Sequence, residues 1–238
     1  MRSGAAEEGV GVLAERLRPV TLARDQRWPV LPALEGLLPA GGLRRGSTVA
    51  VGAAPGAGGA TSLALAMVAQ ASQAGSWVAA VGLPSLGLVA ADELGVALER
   101  LALVAAPARD AWGAVVASLV DGFDLVVLHP GRGGVRAADA RRLAARARER
   151  GTVLLPLGPG WPVQADCSLV VTRTRWEGLE QGHGHLQARK VRVARTGRGE
   201  AAPPRRADLW LPDADGRVAL VEPPAPSAVA PRRLRAVG

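Results

Sequence analysis

Tyrosine is absent from this 238-residue chain, and phenylalanine, cysteine and lysine occur once each. Cys167 has no second thiol to pair with, so an intramolecular disulfide is excluded. Together with His183-Gly184-His185 it does not make a recognised four-ligand zinc spacing, and no metal is expected. Charge is missing altogether from Gly46 to Ala91. Pro55, Pro84 and clustered glycines break that stretch before an apolar helix could reach span length, so a buried parallel sheet is expected rather than a membrane segment. The start Met1-Arg-Ser-Gly-Ala-Ala-Glu-Glu8 lacks the apolar core of a signal peptide, and a cytoplasmic location is expected.

What is present is enough apolar material for a real core: 48% of residues are hydrophobic. Lys and Arg total 29 against 21 acidic residues, a net charge of +8. The excess sits near the C-terminus, where residues 189–238 hold 11 basic and 5 acidic residues, a net of +6. Lys190 is the one lysine, so almost every cation is an arginine, suited to bidentate contacts with phosphate or carboxylate. A GC-rich genome also produces an Ala-, Gly- and Arg-rich composition, so scattered arginines carry no argument alone.

From Leu31 the pattern alternates. Strands are expected near Thr48–Val51, Trp77–Val81, Leu101–Val104, Asp124–Leu128 and Thr152–Leu155; helices near Thr61–Ala74, Ala91–Leu101, Asp110–Val120 and Ala137–Arg150. That order predicts an α/β fold with a mostly parallel central sheet flanked by helices. Beyond residue 165, Cys167–Thr172, His185–Ala194 and Ala207–Leu211 read as antiparallel or mixed strands extending one edge. Residues 1–30, with an amphipathic stretch at Val10–Leu17, form an arm; residues 31–215 form the core; residues 216–238 form a flexible Pro- and Arg-rich tail. No internal repeat is evident.

The richest motif is Gly52-Ala-Ala-Pro-Gly-Ala-Gly-Gly-Ala-Thr-Ser62, between an apolar strand and an apolar helix. A nucleotide-binding P-loop, G-x-x-x-x-G-K-[ST], holds phosphates with backbone N–H groups, a lysine and a hydroxyl that binds Mg²⁺. Here Gly56, Gly58 and Gly59 are followed by Ala60 in the lysine slot, with Thr61 and Ser62 keeping the hydroxyls. Two readings follow: a nest of N–H groups that still takes phosphate, or a structural relic. The failed lysine position favours the relic.

The approach Leu34–Gly52, with Gly41-Gly42-Leu43 and Gly46, resembles the run into the P-loop of RecA-family recombinases. The resemblance continues through Gly59–Leu63 and Phe123–His129 to Gln187–Ala194, roughly residues 31–212. The chain is similar to the RecA-like accessory proteins of the actinobacterial mutasome, the ImuA-type family sometimes labelled SulA-like. Against RecA, the resemblance implies that Ala60 replaces the lysine, that His129 replaces the carboxylate ending the Walker B strand, and that the catalytic glutamate falls near Pro84. The polar sensor becomes Pro156-Leu157-Gly158, and the two DNA loops shrink to Pro130–Arg136 and Gly158–Gln164.

The implied protein is a pseudo-ATPase without cofactor, ATP being the one ligand the loop leaves open. It is expected to act as an adaptor in DNA repair during the SOS response and translesion synthesis. Its expected partners are a Y-family-polymerase-like protein of the mutasome and, through it, a C-family error-prone polymerase, with DNA as a further contact and a nucleoid-associated location. One alternative is an ATP-dependent recombinase paralogue in which Arg44 or Arg45 substitutes for the lysine. Another is a cell-division inhibitor, which no residue specifically supports. Oligomeric state stays open.

Three groups are candidates for partner or nucleic-acid contact. Arg142, Arg146 and Arg150 recur at i, i+4 and i+8 on the Ala137–Arg150 helix, a basic face that repels itself unless an acidic partner relieves it. Arg173-Thr-Arg175-Trp176 sets two guanidiniums beside an indole, a local stacking candidate, whereas Trp77 and Trp210 read as core. Arg232, Arg233 and Arg235 lie in the tail.

Overall fold

The computed structural model describes residues 26–131, 133–180, 183–196 and 205–221. The amphipathic stretch Val10–Leu17 and the arginines Arg232, Arg233 and Arg235 lie outside them.

Apolar runs too short for helices make the central strands. These are β3 (Val49–Ala53), β4 (Val78–Val81), β5 (Leu101–Val104), β6 (Leu125–Leu128) and β7 (Val153–Pro156). Every residue of β4, β6 and β7 is buried, as expected for parallel strands covered on both faces. Parallel pairing gives the order β5-β4-β6-β7, and bridges from Thr48 to Leu154 and from Val51 to Leu157 set β3 beside β7. On the far side of β3 runs β8 (Cys167–Glu180), parallel to it. Antiparallel β9 (His183–Thr196), β10 (Arg206–Trp210) and β11 (Ala219–Leu220) complete that half. The sheet therefore extends past the boundary expected at residue 215.

Alternation along the strands sorts two cores. One face of the sheet, with Val51, Leu125, Leu155, Leu169 and Val191, packs on α2 (Ala60–Gln73), where Leu63–Ala69 are all buried. The other face, with Val81, Val126, Leu128 and Leu154, packs on α4 (Trp112–Gly122) and α5 (Ala137–Arg150). A short strap runs ahead of β3. Strand β1 (Arg27–Trp28) pairs antiparallel with β2 (Leu43–Arg44), and α1 (Pro32–Glu35) buries Leu34 into the α2 core.

Three expectations need correction. The helix read at Ala91–Leu101 is instead α3 (Leu88–Glu93), because Gly95 turns to φ 89° and its N–H closes on the Asp92 carbonyl, ending the helix. Strand β8 runs on to Glu180, well beyond the expected Cys167–Thr172, whereas β9 extends the expected His185–Ala194 by only two residues at each end. Trp77 is not core: it is 44% exposed, edge-on to Phe123 at 6.4 Å and stacked under Arg100.

No helix among the described residues is long and apolar enough to cross a membrane.

Candidate functional site

Strand β3 ends at the middle of the sheet, and its carboxyl end opens directly into the glycine loop and α2. Such a crevice at the carboxyl ends of parallel strands, facing a helix N-terminus, is where α/β sheets bind ligands. The loop leaves β3 through Ala54 N–H to the Val171 carbonyl and turns with Ala57 N–H to the Ala54 carbonyl. Gly59 caps α2 at φ 108°, a left-handed conformation that glycine adopts at little cost. The Thr174 hydroxyl of β8 donates to the Gly58 carbonyl at 2.7 Å and ties the loop to the long hairpin. Gly56, Gly58 and Thr61 are exposed; Gly59, Ala60 and Ser62 are partly covered. Ala60 opens the helix with a methyl group, and no side chain caps it.

The ends of β4, β6 and β7 carry no carboxylate, being followed by Gly82, His129 and Leu157. His129 follows β6, and its Nδ1 accepts the Gly131 N–H at 3.0 Å, a bond that orients the ring within its own turn. A methyl on Gly158 would lie 3.9 Å from His129 Nε2, so the ring stands at the mouth of the β3 and β7 ends. Pro84 comes three residues after β4 ends at Val81. Among the described residues no group of three His, Cys, Asp or Glu is placed to hold a metal ion.

Among the described residues, Arg189 lies against the loop, a cation the sequence reading missed. A methyl on Gly59 would lie 3.5 Å from Arg189 Cζ, so this β9 guanidinium covers the first turn of α2. Its Nε donates to the Leu211 carbonyl at 2.6 Å, and it stacks on the Trp176 ring at 5.0 Å. Burial pulls its pKa below the ordinary arginine value. A positive group at the positive end of a helix is a repulsive arrangement that an anion would relieve. Arg44 and Arg45, the substitutes suggested by sequence, lie at the opposite end of β3. Arg44 reaches Asp166 at 3.5 Å, and Arg45 stacks on Trp28 at 4.6 Å. They precede the amino end of the strand whose carboxyl end bears the loop.

The basic groups named from sequence are rearranged in space. On α5, Arg146 makes a bidentate bond with Asp121 of α4, Arg150 donates to the same carboxylate at 3.0 Å, and Arg142 pairs with Asp139. The Arg146 hydrogen bond, ahead of the Coulombic pull of Arg146 and Arg150, holds Asp121 below the usual carboxylate value. Carboxylates of the chain itself therefore offset this basic face. The Arg173-Thr-Arg175-Trp176 cluster is split, because successive strand residues point to opposite faces. Thr174 and Trp176 face the glycine loop and Arg189, whereas Arg173 and Arg175 face away, across β9 from Arg192 and Lys190. Trp210 lies on that far face under Lys190, whose Nζ is 5.8 Å from the ring, so it too departs from the expected core role.

Cys167 is 4% exposed, and burial pushes its thiol up to about 11, against a smaller opposing pull from Arg195 and a small push from Asp166. A two-unit rise leaves about 100-fold less thiolate at neutral pH. The native thiol should react with an aromatic disulfide reagent at least that much more slowly than the urea-unfolded chain; equal rates would refute the burial. Because the folded value exceeds the ordinary 9.0, its contribution to stability is complete below pH 9.0 and is lost as pH rises toward 11.

The chain belongs to the MT3502 N-terminal domain family, which matches residues 36–163. It is 43% identical over 121 residues to the uncharacterized protein Rv3395c of Mycobacterium tuberculosis. That match covers 51% of this chain and 52% of the mycobacterial one, so the chain spans about half the length of the curated relative it matches.

Proposed function

We propose that this member of the MT3502 N-terminal domain family is a non-catalytic RecA-like adaptor in DNA damage tolerance. In this reading it docks a Y-family-polymerase-like protein of a mutasome and, through it, a C-family error-prone polymerase, in the cytoplasm at the nucleoid. The supporting observation is the combination at the sheet's centre: a strand, a glycine loop and a helix arranged as for phosphate, with the Ala60 methyl where the chemistry requires an ammonium. His129, which the RecA resemblance sets in the place of a metal carboxylate, is bonded into its own turn. Phosphoryl transfer relies on positioned positive charge and metal, and an architecture kept without them suits a scaffold.

Arg189 favours a second reading, an ATP-dependent recombinase paralogue whose substitute cation is this arginine. Its guanidinium already covers the start of α2.

Calorimetric titration with ATP and Mg²⁺ separates the two. The adaptor reading expects no heat from the native chain at millimolar nucleotide and a gain of binding in Ala60→Lys. Micromolar binding by the native chain that disappears in Arg189→Ala would establish the second reading instead. Co-expression with the polymerase-like partner should yield a complex that survives gel filtration, and separate elution would sink the adaptor.

A further inference from the structure

Among the described residues, apolar packing covers the half of the sheet beyond β3 on one face. Leu169, Val171, Val191, Val193 and Leu209 pack toward α2, while α4 and α5 cover the parallel half on the other face. Among the described residues neither core cluster extends onto the far face of β8, β9 and β10, where Arg173, Arg175, Arg192 and Arg206 are exposed, though Ala188 is buried. Register fixes what that face carries. Val170, Ala194 and Arg206 form one row; Arg173, Arg192 and Asp208 the next; Arg175, Lys190 and Trp210 the third; Glu177 and Ala188 follow at the far end.

Five cations thus stand on three adjacent strands, about 4.8 Å apart between strands and about 7 Å apart along them. Arg173 faces Arg192 and Arg175 faces Lys190, and like charges directly opposite across a sheet are destabilising. Asp208 offsets one of the five: it takes a bidentate bond from Arg192 at 2.7 and 2.8 Å. That bond, followed by the Coulombic pull of Arg192, Lys190 and Arg173, holds the carboxyl below its usual value. Arg173, Arg175, Lys190 and Arg206 are left without an ion-pair partner among the described residues.

We propose that this open face binds single-stranded nucleic acid along its phosphate backbone. Planar guanidiniums donate to phosphate oxygens in bidentate geometry, and a row of them across a flat sheet follows a flexible strand without demanding a sequence. The half-buried Trp210 ring, at the end of the row begun by Arg175 and Lys190, offers a surface on which a base stacks. A folded protein partner is the poorer fit, because an interface centre is depleted of charge and this one is made of it. The inference is independent of the adaptor reading, since it needs neither the glycine loop nor a polymerase.

Lys190 gives the test its resolution: as the one lysine, it can be footprinted with an amine-acetylating reagent and read by mass spectrometry without ambiguity. The native chain should bind fluorescein-labelled oligo-dT in an anisotropy titration, with log affinity falling against log salt at a slope of about −2.8 for four phosphate contacts. Oligo-dT should protect Lys190 from acetylation. The Arg173→Ala/Arg175→Ala double variant, checked for native circular dichroism, should bind roughly 10- to 100-fold more weakly at low salt, its slope shallower by about 1.4. Binding that ignores salt, or an unprotected Lys190 at saturating oligo-dT, overturns the proposal whatever the variant does. Absence of binding at low salt overturns it too, and displacement of oligo-dT by poly-glutamate at equal charge would assign the face to an acidic protein segment.

Discussion

Gly46→Ala should lower the free energy of unfolding by about 3 kcal/mol or more, the largest effect of any single methyl added to the described chain outside the hairpin. Gly46 turns the strap into β3 at φ 76°, a left-handed conformation that costs an L-residue about 1–2 kcal/mol before any contact is counted. The added methyl would then sit 2.9 Å from Arg148 Cα and 3.3 Å from the carbonyl oxygens of Ala147 and Arg148. Those are backbone atoms in the last turn of α5, so no rotamer can relieve the clash. Either the turn held by Ser47 N–H and hydroxyl on the Arg44 carbonyl opens, or α5 lifts from the sheet. Gly52→Ala is the matched comparison, because a methyl there meets nothing within 4 Å. Urea denaturation of both variants checks this, and equal midpoints would show that β3 and α5 do not approach as described.

Leu154→Ala should cost about 2–5 kcal/mol. Leu154 is fully buried on β7, in the core that α4 and α5 close with Val116, Val120 and Leu143. Its backbone N–H is fixed to the Ser47 carbonyl at 3.0 Å, so the strand cannot shift to refill the space. Surrounding groups are valines and leucines on rigid strands and helices, which collapse only partly around a void. A thermal or urea midpoint close to wild type would mean this layer repacks freely, contrary to its close packing.

The parallel half was legible in the sequence because its strands are uncharged runs such as Val78-Ala-Ala-Val81 and Leu125-Val-Val-Leu128, separated by helical periods. Their expected and observed bounds agree within about two residues. Of the long hairpin, β9 was legible to within two residues at each end, but β8 only in its apolar first part. Beyond Val171 the pairing is carried by Arg, Thr and Glu, residues that give no hydrophobic signal. The same alternation held a clue that was passed over: residues 173 and 175 share a side, so Trp176 had to face the other way. Arg189 was beyond reach. Its place over Gly59 comes from strand pairing across more than a hundred residues, and nothing local distinguishes it from Arg192. Likewise the carboxylates that satisfy Arg146 and Arg150 come from Asp121, on another helix.

The unequal lengths of β3 and β8 have one more consequence. Strand β3 accompanies β8 only from Cys167 to Val171, and past that point one edge of β8 has no strand beside it among the described residues. A bare edge is a template on which a second copy of the chain could add its own strand, the route by which β-proteins aggregate. Arg173, Arg175 and Glu177 stand along it, and the antiparallel register centred on Thr174 would set arginine against arginine. Long charged side chains on an edge act as gatekeepers, and here they oppose the addition of a further strand to an overhanging ribbon.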